Sequence, residues 1–235
     1  VGKWGMVVGY HGLTQQDAVG ISSRGGSGRI HRMTQACFDT SMSAVQRVAH
    51  ALEGASQRHA QHVFTQLYAD TARATAQSCD AQAKAGHHLG ALHGVCITVK
   101  DNIDVAGETT MAGGVVCAGE APALRDAGAV QRLRDAGAVV LGKTNMSEFA
   151  FSGVGINPHH GTPANPADLA QSRVPGGSSS GAAVSVALGL AEVGIGTDTG
   201  GSIRIPAALC GLVGYKSTQA RIPCTGVMEL SRTLD

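Results

Sequence analysis

The candidate catalytic residues of this chain are one lysine and the serines of two turns rich in glycine and serine. The first turn reads Pro-Gly-Gly-Ser-Ser-Ser-Gly over residues 175–181, and the second reads Gly-Thr-Asp-Thr-Gly-Gly-Ser over residues 196–202. A glycine pair before a serine lets the backbone bend tightly and leaves amide N–H groups around a hydroxyl, as an acyl-transfer nucleophile requires. The plainer interpretation is that both segments are flexible loops.

The lysine, Lys100, directly follows the apolar run 95–99, which predicts a buried strand that ends at the lysine. A serine hydroxyl is a weak nucleophile near neutral pH and needs a neighbouring base. An amine can be that base only if its pKa falls several units from about 10.4, and burial shifts the pKa in that direction. Lys100 is therefore a candidate base for a serine in these turns.

The order and wording of these three segments resemble the amidase signature family of serine hydrolases. The resemblance covers about residues 94–235 and is strongest over residues 175–216. It implies that Ser202 is the nucleophile, that Ser178 is a bridging serine held by a cis peptide to its predecessor, and that Lys100 is the base. The implied reaction converts a carboxylic amide to an acid and ammonia or an amine through an ester-linked acyl-enzyme, with no cofactor and no metal.

Backbone amides of the second turn are the expected donors to the oxyanion, because glycines let the chain wrap a developing negative charge. Asp198 and Arg204 flank this turn with opposite charges, and we expect them to pair and fix its shape rather than contact substrate. Ser179 is expected to support the relay by hydrogen bonds or to contact it. The candidate oxyanion or substrate-binding residues are Thr199, Gly200, Gly201 and Ser179, together with the amide of Ser202.

Residues 137–144 match the pattern G-x-x-x-x-G-K-[ST] of a phosphate-binding loop. A phosphate loop follows a strand and opens a helix, whereas here the intervening Ala-Val-Val-Leu predicts a strand that follows a helix. We interpret the match as a false positive. A nucleotide-binding protein that uses this segment is the alternative from a different functional class.

Short alternating helices and strands predict an α/β fold, and the resemblance implies a mixed sheet covered by helices. Residues 1–30, rich in glycine and serine, are expected to be a poorly ordered leader. Residues 31–235 are expected to be the N-terminal part of an amidase signature domain that is incomplete at its C-terminus. The predicted helices cover residues 43–53, 61–84, 129–136, 182–190 and 203–209, and the predicted strands cover 95–99, 138–141 and 191–196.

Composition excludes several classes of function. The chain of 235 residues has 43% hydrophobic and 15% charged residues, which predicts a folded domain, and its 18 basic and 17 acidic residues suggest neither nucleic acid nor another polyanion as partner. No apolar run is long enough to span a bilayer. Six scattered cysteines without a Cys-x-x-Cys pair predict reduced thiols and a cytoplasmic protein. The ten histidines have no spacing typical of a metal site.

Two further interpretations share the same motifs. One is the A subunit of a glutamine-dependent amidotransferase, which would release ammonia for a partner protein. The other is an inactive truncated homologue that serves as a binding module, because members of the family normally continue beyond the point equivalent to Asp235. The expected partners are a small-molecule amide and either a second copy of the chain or a partner subunit.

Overall fold

A computed structural model describes residues 4–8, 41–168, 170–218 and 221–231 of the chain. Six strands of this part form one mixed sheet. The strands are β1 (Trp4–Val8), β2 (Phe64–Leu67), β3 (Cys96–Lys100), β4 (Val139–Thr144), β5 (Val193–Thr197) and β6 (Val213–Lys216). The helices are α1 (Ala44–Ala55), α2 (Ala69–Lys84), α3 (Gly128–Asp135), α4 (Ser180–Ala187) and α5 (Arg204–Leu209), with short 3-10 turns at Arg58–Ala60 and Glu148–Ala150.

The strand order across the sheet is β2-β4-β3-β5-β1-β6. Strand β3 runs parallel to both β4 and β5, while β2 is antiparallel to β4, and β1 is antiparallel to β5 and β6. Every residue of β3, β4 and β5 is buried. Central parallel strands are covered on both faces, which explains their nearly continuous apolar sequences.

The two faces of the central strands bury different side chains because successive residues of a strand point in opposite directions. Cys96 and Leu141 pack with the buried alanines of α1 and α2. Ile97 and Val99 pack on the opposite face with Val130 of α3. Helix α4, almost wholly buried, lies in a third apolar cluster that includes Ala207 of α5.

The parallel pairing of β3 with β5 positions the candidate catalytic residues. The register places Val99 opposite Ile195, so the two strands end side by side, β3 at Lys100 and β5 at Thr197. The second serine-containing turn leaves β5 at this edge, and the first turn leads directly into α4. The carboxyl ends of parallel strands are where open α/β sheets place their ligands.

The predicted α/β class with a mixed sheet is confirmed, and most predicted elements appear with boundaries shifted by a few residues. The helix predicted over 61–84 is wrong at its start, because Phe64–Leu67 pairs with β4 as an edge strand and the helix begins only at Ala69. A strand at Val213–Lys216, which pairs with β1, is absent from the sequence prediction.

The predicted leader contains a strand. Trp4–Val8 forms β1, which lies between β5 and β6. The rest of residues 1–30 lies outside the described part of the chain. Within the described part, none of the helices is long and apolar enough to cross a membrane.

The segment that matches a phosphate loop lacks the geometry of one. Residues 139–144 are the strand β4, which follows α3, as the sequence predicts. Lys143 is fully buried, and its Nζ donates to Thr110 Oγ1 at 2.6 Å and lies 3.6 Å from Asp101 Oδ1. Lys143 therefore makes contacts only inside the protein and does not face a ligand-binding surface. The nucleotide-binding alternative is not retained.

We predict that Gly142→Ala lowers the free energy of unfolding by about 2 kcal/mol, because forcing extra atoms into a packed strand costs energy of this order. A Cβ at Gly142 would overlap the carbonyl oxygen of Gln66 on the neighbouring strand, and backbone cannot swing aside. Urea denaturation measures the change. Gly119→Ala, where a Cβ meets open space, is the control, and equal stability of the two variants would contradict this packing.

Candidate active site

Lys100 ends strand β3 with its side chain completely buried. Its Nζ lies 2.6 Å from Ser178 Oγ and 2.8 Å from Thr197 Oγ1. The amine is thus in hydrogen-bond contact with hydroxyls from two other segments, the first serine-containing turn and the end of β5. This geometry brings together two of the residues that the sequence predicts for the relay.

Ser178 is fully buried, and a cis peptide joins it to Gly177. Its backbone carbonyl oxygen accepts a hydrogen bond of 3.1 Å from the backbone N–H of Ser147, which ties the turn to the segment after β4. Glycine is required at 177 because a Cβ there would lie 2.7 Å from the backbone of Gly155. Close backbone approach, rather than flexibility, therefore explains the glycine before Ser178.

Ser202 lies in the turn between β5 and α5 and is 8% exposed, whereas Lys100 and Ser178 are inaccessible. The Ser202 carbonyl accepts a 3.1 Å hydrogen bond from the amide of Ser179, the residue after Ser178. The two serine-containing turns are therefore joined directly. Ser202 is thus the most accessible of the three predicted relay residues.

Asp198 organises the second turn from the inside. The carboxylate is buried and accepts hydrogen bonds from the amides of Gly201, Ile203 and Arg204 at 2.8–3.2 Å. The Arg204 guanidinium adds two more, at 3.0 and 2.8 Å, which confirms the predicted pairing. Burial opposes the charge, but the hydrogen bonds from Arg204 and the backbone outweigh it, so the pKa of Asp198 lies below its usual value.

This arrangement corrects one predicted oxyanion donor. The Gly201 N–H points at Asp198, so it is not available to a substrate in this structure. No described residue accepts a hydrogen bond from the amide of Gly200 or Ser202. A Cβ at Gly200 would meet open space, whereas Gly201 has a φ of 125° that favours glycine. The two glycines therefore have different tasks: Gly201 shapes the turn, and Gly200 leaves room beside it.

Ser179 makes the supporting contacts that the sequence predicts. Its hydroxyl donates to the Thr197 carbonyl at 3.3 Å, in addition to the bond from its amide to Ser202. Ser179 thereby connects both turns to the end of β5. The predicted alternative, direct contact with the relay, is not among the hydrogen bonds described for its side chain.

The sequence did not single out Thr197 or Asn102, although both meet at the relay. Asn102 Nδ2 donates to Thr197 Oγ1 at 3.2 Å and to the Met228 carbonyl at 3.1 Å. Thr197 lies within the second turn motif and Asn102 two residues after Lys100, but sequence reasoning assigned neither a task, and only the pairing of β3 with β5 shows that they lie together. Glu148 also has a partner that its place in the sequence does not suggest, since its Oε1 lies 3.0 Å from His159 Nε2.

A second buried pair supports the loop after β3. Asp101 and Lys143 have fully buried side chains. Burial raises the pKa of Asp101 against the attraction of Lys143, and burial likewise lowers the pKa of Lys143. Burial thus disfavours both charges more than their attraction favours them, and removing either partner would leave the other buried without compensation.

Metal-ligating residues do not gather within the described ranges: no group of three or more histidines, cysteines or carboxylates is close enough to hold an ion. The cysteines that the structure describes, Cys79, Cys96, Cys117, Cys210 and Cys224, are free thiols.

Comparison with known proteins places this geometry in context. A family model described as Amidase matches residues 44–235. The chain is 45% identical over 165 residues to a 2-amino-5-chloromuconic acid deaminase of Comamonas testosteroni, covering 70% of this chain and 35% of that protein. It is 46% identical over 172 residues to the A subunit of the glutamyl-tRNA(Gln) amidotransferase of Anaeromyxobacter sp. (strain K), covering 73% and 34%. The chain thus spans about a third of the length of these curated relatives.

Solved structures of amidases also resemble this chain. The native peptide amidase from Stenotrophomonas maltophilia superimposes with a TM-score of 0.74 at 38% identity, over 86% of this chain and 42% of that one. A structure described as an amidase has a TM-score of 0.76 at 39% identity, over 87% of this chain and 46% of that one.

We predict that Asp198→Asn lowers the free energy of unfolding by about 2–3 kcal/mol near neutral pH, because a guanidinium contact with a buried carboxylate and several charge-assisted hydrogen bonds are lost. The pKa of Asp198 is depressed from 3.8 in the folded chain. Its contribution is therefore complete above about pH 3.8 and disappears as the pH falls from there through the folded pKa.

Chemical denaturation from pH 7 down to pH 3 measures this difference. Asp168→Asn is the matched control, since Asp168 also pairs with an arginine, Arg173, but on the surface. We expect the control to lose far less stability. Equal losses for Asp198→Asn and the control would contradict the role given to the buried carboxylate.

Proposed function

The chain belongs to the amidase family, and on that premise we propose that it hydrolyses carboxylic amides with Ser202 as nucleophile, Ser178 as proton bridge and Lys100 as base. The observation that carries the proposal is the 2.6 Å contact between Lys100 Nζ and Ser178 Oγ, out of contact with solvent. A surface lysine would be protonated and could not accept a proton at neutral pH. Burial favours the neutral amine that a base requires.

In the proposed reaction, Ser202 Oγ attacks the amide carbon as its proton passes to Ser178 and the proton of Ser178 passes to Lys100. The C–O bond forms, the carbonyl oxygen becomes an oxyanion, and Lys100 becomes an ammonium. Collapse of this intermediate breaks the C–N bond, and the relay returns the proton to the leaving nitrogen. Water then repeats the sequence on the acyl ester and releases the acid and free Ser202.

The amides of Gly200 and Ser202 are the proposed oxyanion donors, with Thr199 kept from the sequence prediction. The contacts of Asp198 support this assignment because they hold the turn rigid from its buried side. Preorganised donors of this kind contribute about 3 kcal/mol each to stabilising the transition state. The open space beside Gly200 is the proposed path of the substrate carbonyl.

A second candidate is the A subunit of a glutamine-dependent amidotransferase, which the amidotransferase relative at 46% identity supports. The chemistry at Ser202 would be the same, with glutamine as the amide and ammonia passed to a partner protein. Glutaminase activity that appears only after the partner is added would favour this candidate over a free-standing amidase. For either candidate we propose a cytoplasmic location, which suits the free thiols.

We predict that Ser202→Ala abolishes both amide hydrolysis and covalent labelling by a fluorophosphonate. The rate should fall by about 10⁴-fold or more, because loss of a nucleophile disables the whole relay. Ammonia release from a simple aromatic or aliphatic amide measures turnover, and peptide mass spectrometry locates the label.

Ser78→Ala, on the exposed face of α2, is the control and should behave as wild type. Turnover or labelling that survives in Ser202→Ala would overturn the assignment. A folded wild-type chain that the probe leaves unmodified would instead support the inactive homologue.

A further inference from the structure

We propose that Thr197 is a positioning residue that turns the lone pair of the Lys100 amine toward Ser178, and that Asn102 holds Thr197 for this task. The inference rests on the proposed function, in which Lys100 must accept a proton from Ser178. Thr197 lies at the end of β5 and Lys100 at the end of β3, so the two neighbouring strands place them together. Both side chains are buried.

The neutral amine of a lysine has a limited hydrogen-bonding capacity. Such a group has two N–H donors and one lone pair, and a base can use that lone pair only if nothing else occupies it. Lys100 Nζ is 2.6 Å from Ser178 Oγ and 2.8 Å from Thr197 Oγ1. If the Ser178 proton is to enter the lone pair, Thr197 must accept an N–H. The contact with Thr197 therefore sets the rotation of the amine about its Cε–Nζ bond.

Thr197 can accept this N–H before and after proton transfer. In the ammonium form, both Ser178 and Thr197 accept an N–H from Lys100, so the hydrogen bond to Thr197 keeps its direction while the proton moves. A polar group that needs no reorientation during the reaction is preorganised, which is the condition for lowering the barrier. Thr197 itself neither gains nor loses a proton.

Asn102 fixes the hydroxyl of Thr197. Its Nδ2 donates to Thr197 Oγ1 at 3.2 Å and to the Met228 carbonyl at 3.1 Å. A carbonyl can only accept, so the contact with Met228 determines which end of the Asn102 amide faces Thr197. The backbone N–H of Met228 in turn donates to the backbone carbonyl of Asn102 at 2.8 Å. The position of Thr197 is thus tied to the segment around Met228, which lies far from Asn102 in sequence.

The test compares Thr197→Val with Thr197→Ser. Valine keeps the shape and strand preference of threonine but removes the hydroxyl, and serine keeps the hydroxyl. We expect Thr197→Val to lower kcat for an amide by about 10- to 100-fold, because a misdirected catalytic group costs rate of this order, while KM stays within about twofold. Thr197→Ser should recover most of the lost rate. The rate of fluorophosphonate labelling at Ser202 should follow kcat in both variants.

Thermal melting of both variants separates folding from chemistry. Asn102→Ala gives an independent check, with a smaller loss in kcat and again little change in KM. Wild-type rates in Thr197→Val would overturn the inference, and so would a Thr197→Ser variant as slow as the valine variant. A wild-type chain that the probe does not label at Ser202 would overturn the proposed function itself, a result that these comparisons among variants cannot produce.

Discussion

The Lys100 amine lies 2.6 Å from the Ser178 hydroxyl with no solvent exposure. An ammonium in such a place loses its hydration, so the protein must supply acceptors for its protons or favour the neutral amine. Parallel strands β3 and β5 meet this constraint by ending side by side, which delivers Lys100 and Thr197 to one point. The remaining features of the site hold the Ser178 hydroxyl against that amine and join its turn to the turn that carries Ser202.

The two serine-containing turns are held by opposite means. The first is fixed by close packing, because Gly177 lies against Gly155 with no room for a side chain. The second is fixed by a buried charge, since Asp198 accepts hydrogen bonds from three amides and from Arg204. One backbone bond, from Ser179 to Ser202, joins them. The charged Asp198 carboxylate and the close packing at Gly177 therefore do the same thing: each fixes the shape of a turn that carries a serine.

Sequence alone predicted that Lys100 and Ser178 lie together because both lie in local motifs, and it predicted the central strands because of their apolar runs. It failed where long-range pairing decides the outcome. Phe64–Leu67 becomes a strand only because β4 is there to pair with it. Thr197 lies within the second turn motif but had no task assigned there, and only the register of β3 and β5 places it at Lys100. Gly201 was expected to donate to an oxyanion, but its amide is taken by a side chain three residues earlier.

In the proposed reaction Lys100 activates Ser202 through Ser178, and the rate of fluorophosphonate labelling at Ser202 in Lys100→Met measures this activation. Methionine approximates the length of the buried side chain without its amine, and Lys84→Met, at the exposed end of α2, is the control. We expect Lys100→Met to stay folded but to be labelled at least about 100-fold more slowly, the loss expected when a general base is removed. Labelling of folded Lys100→Met at the wild-type rate would contradict this role of Lys100.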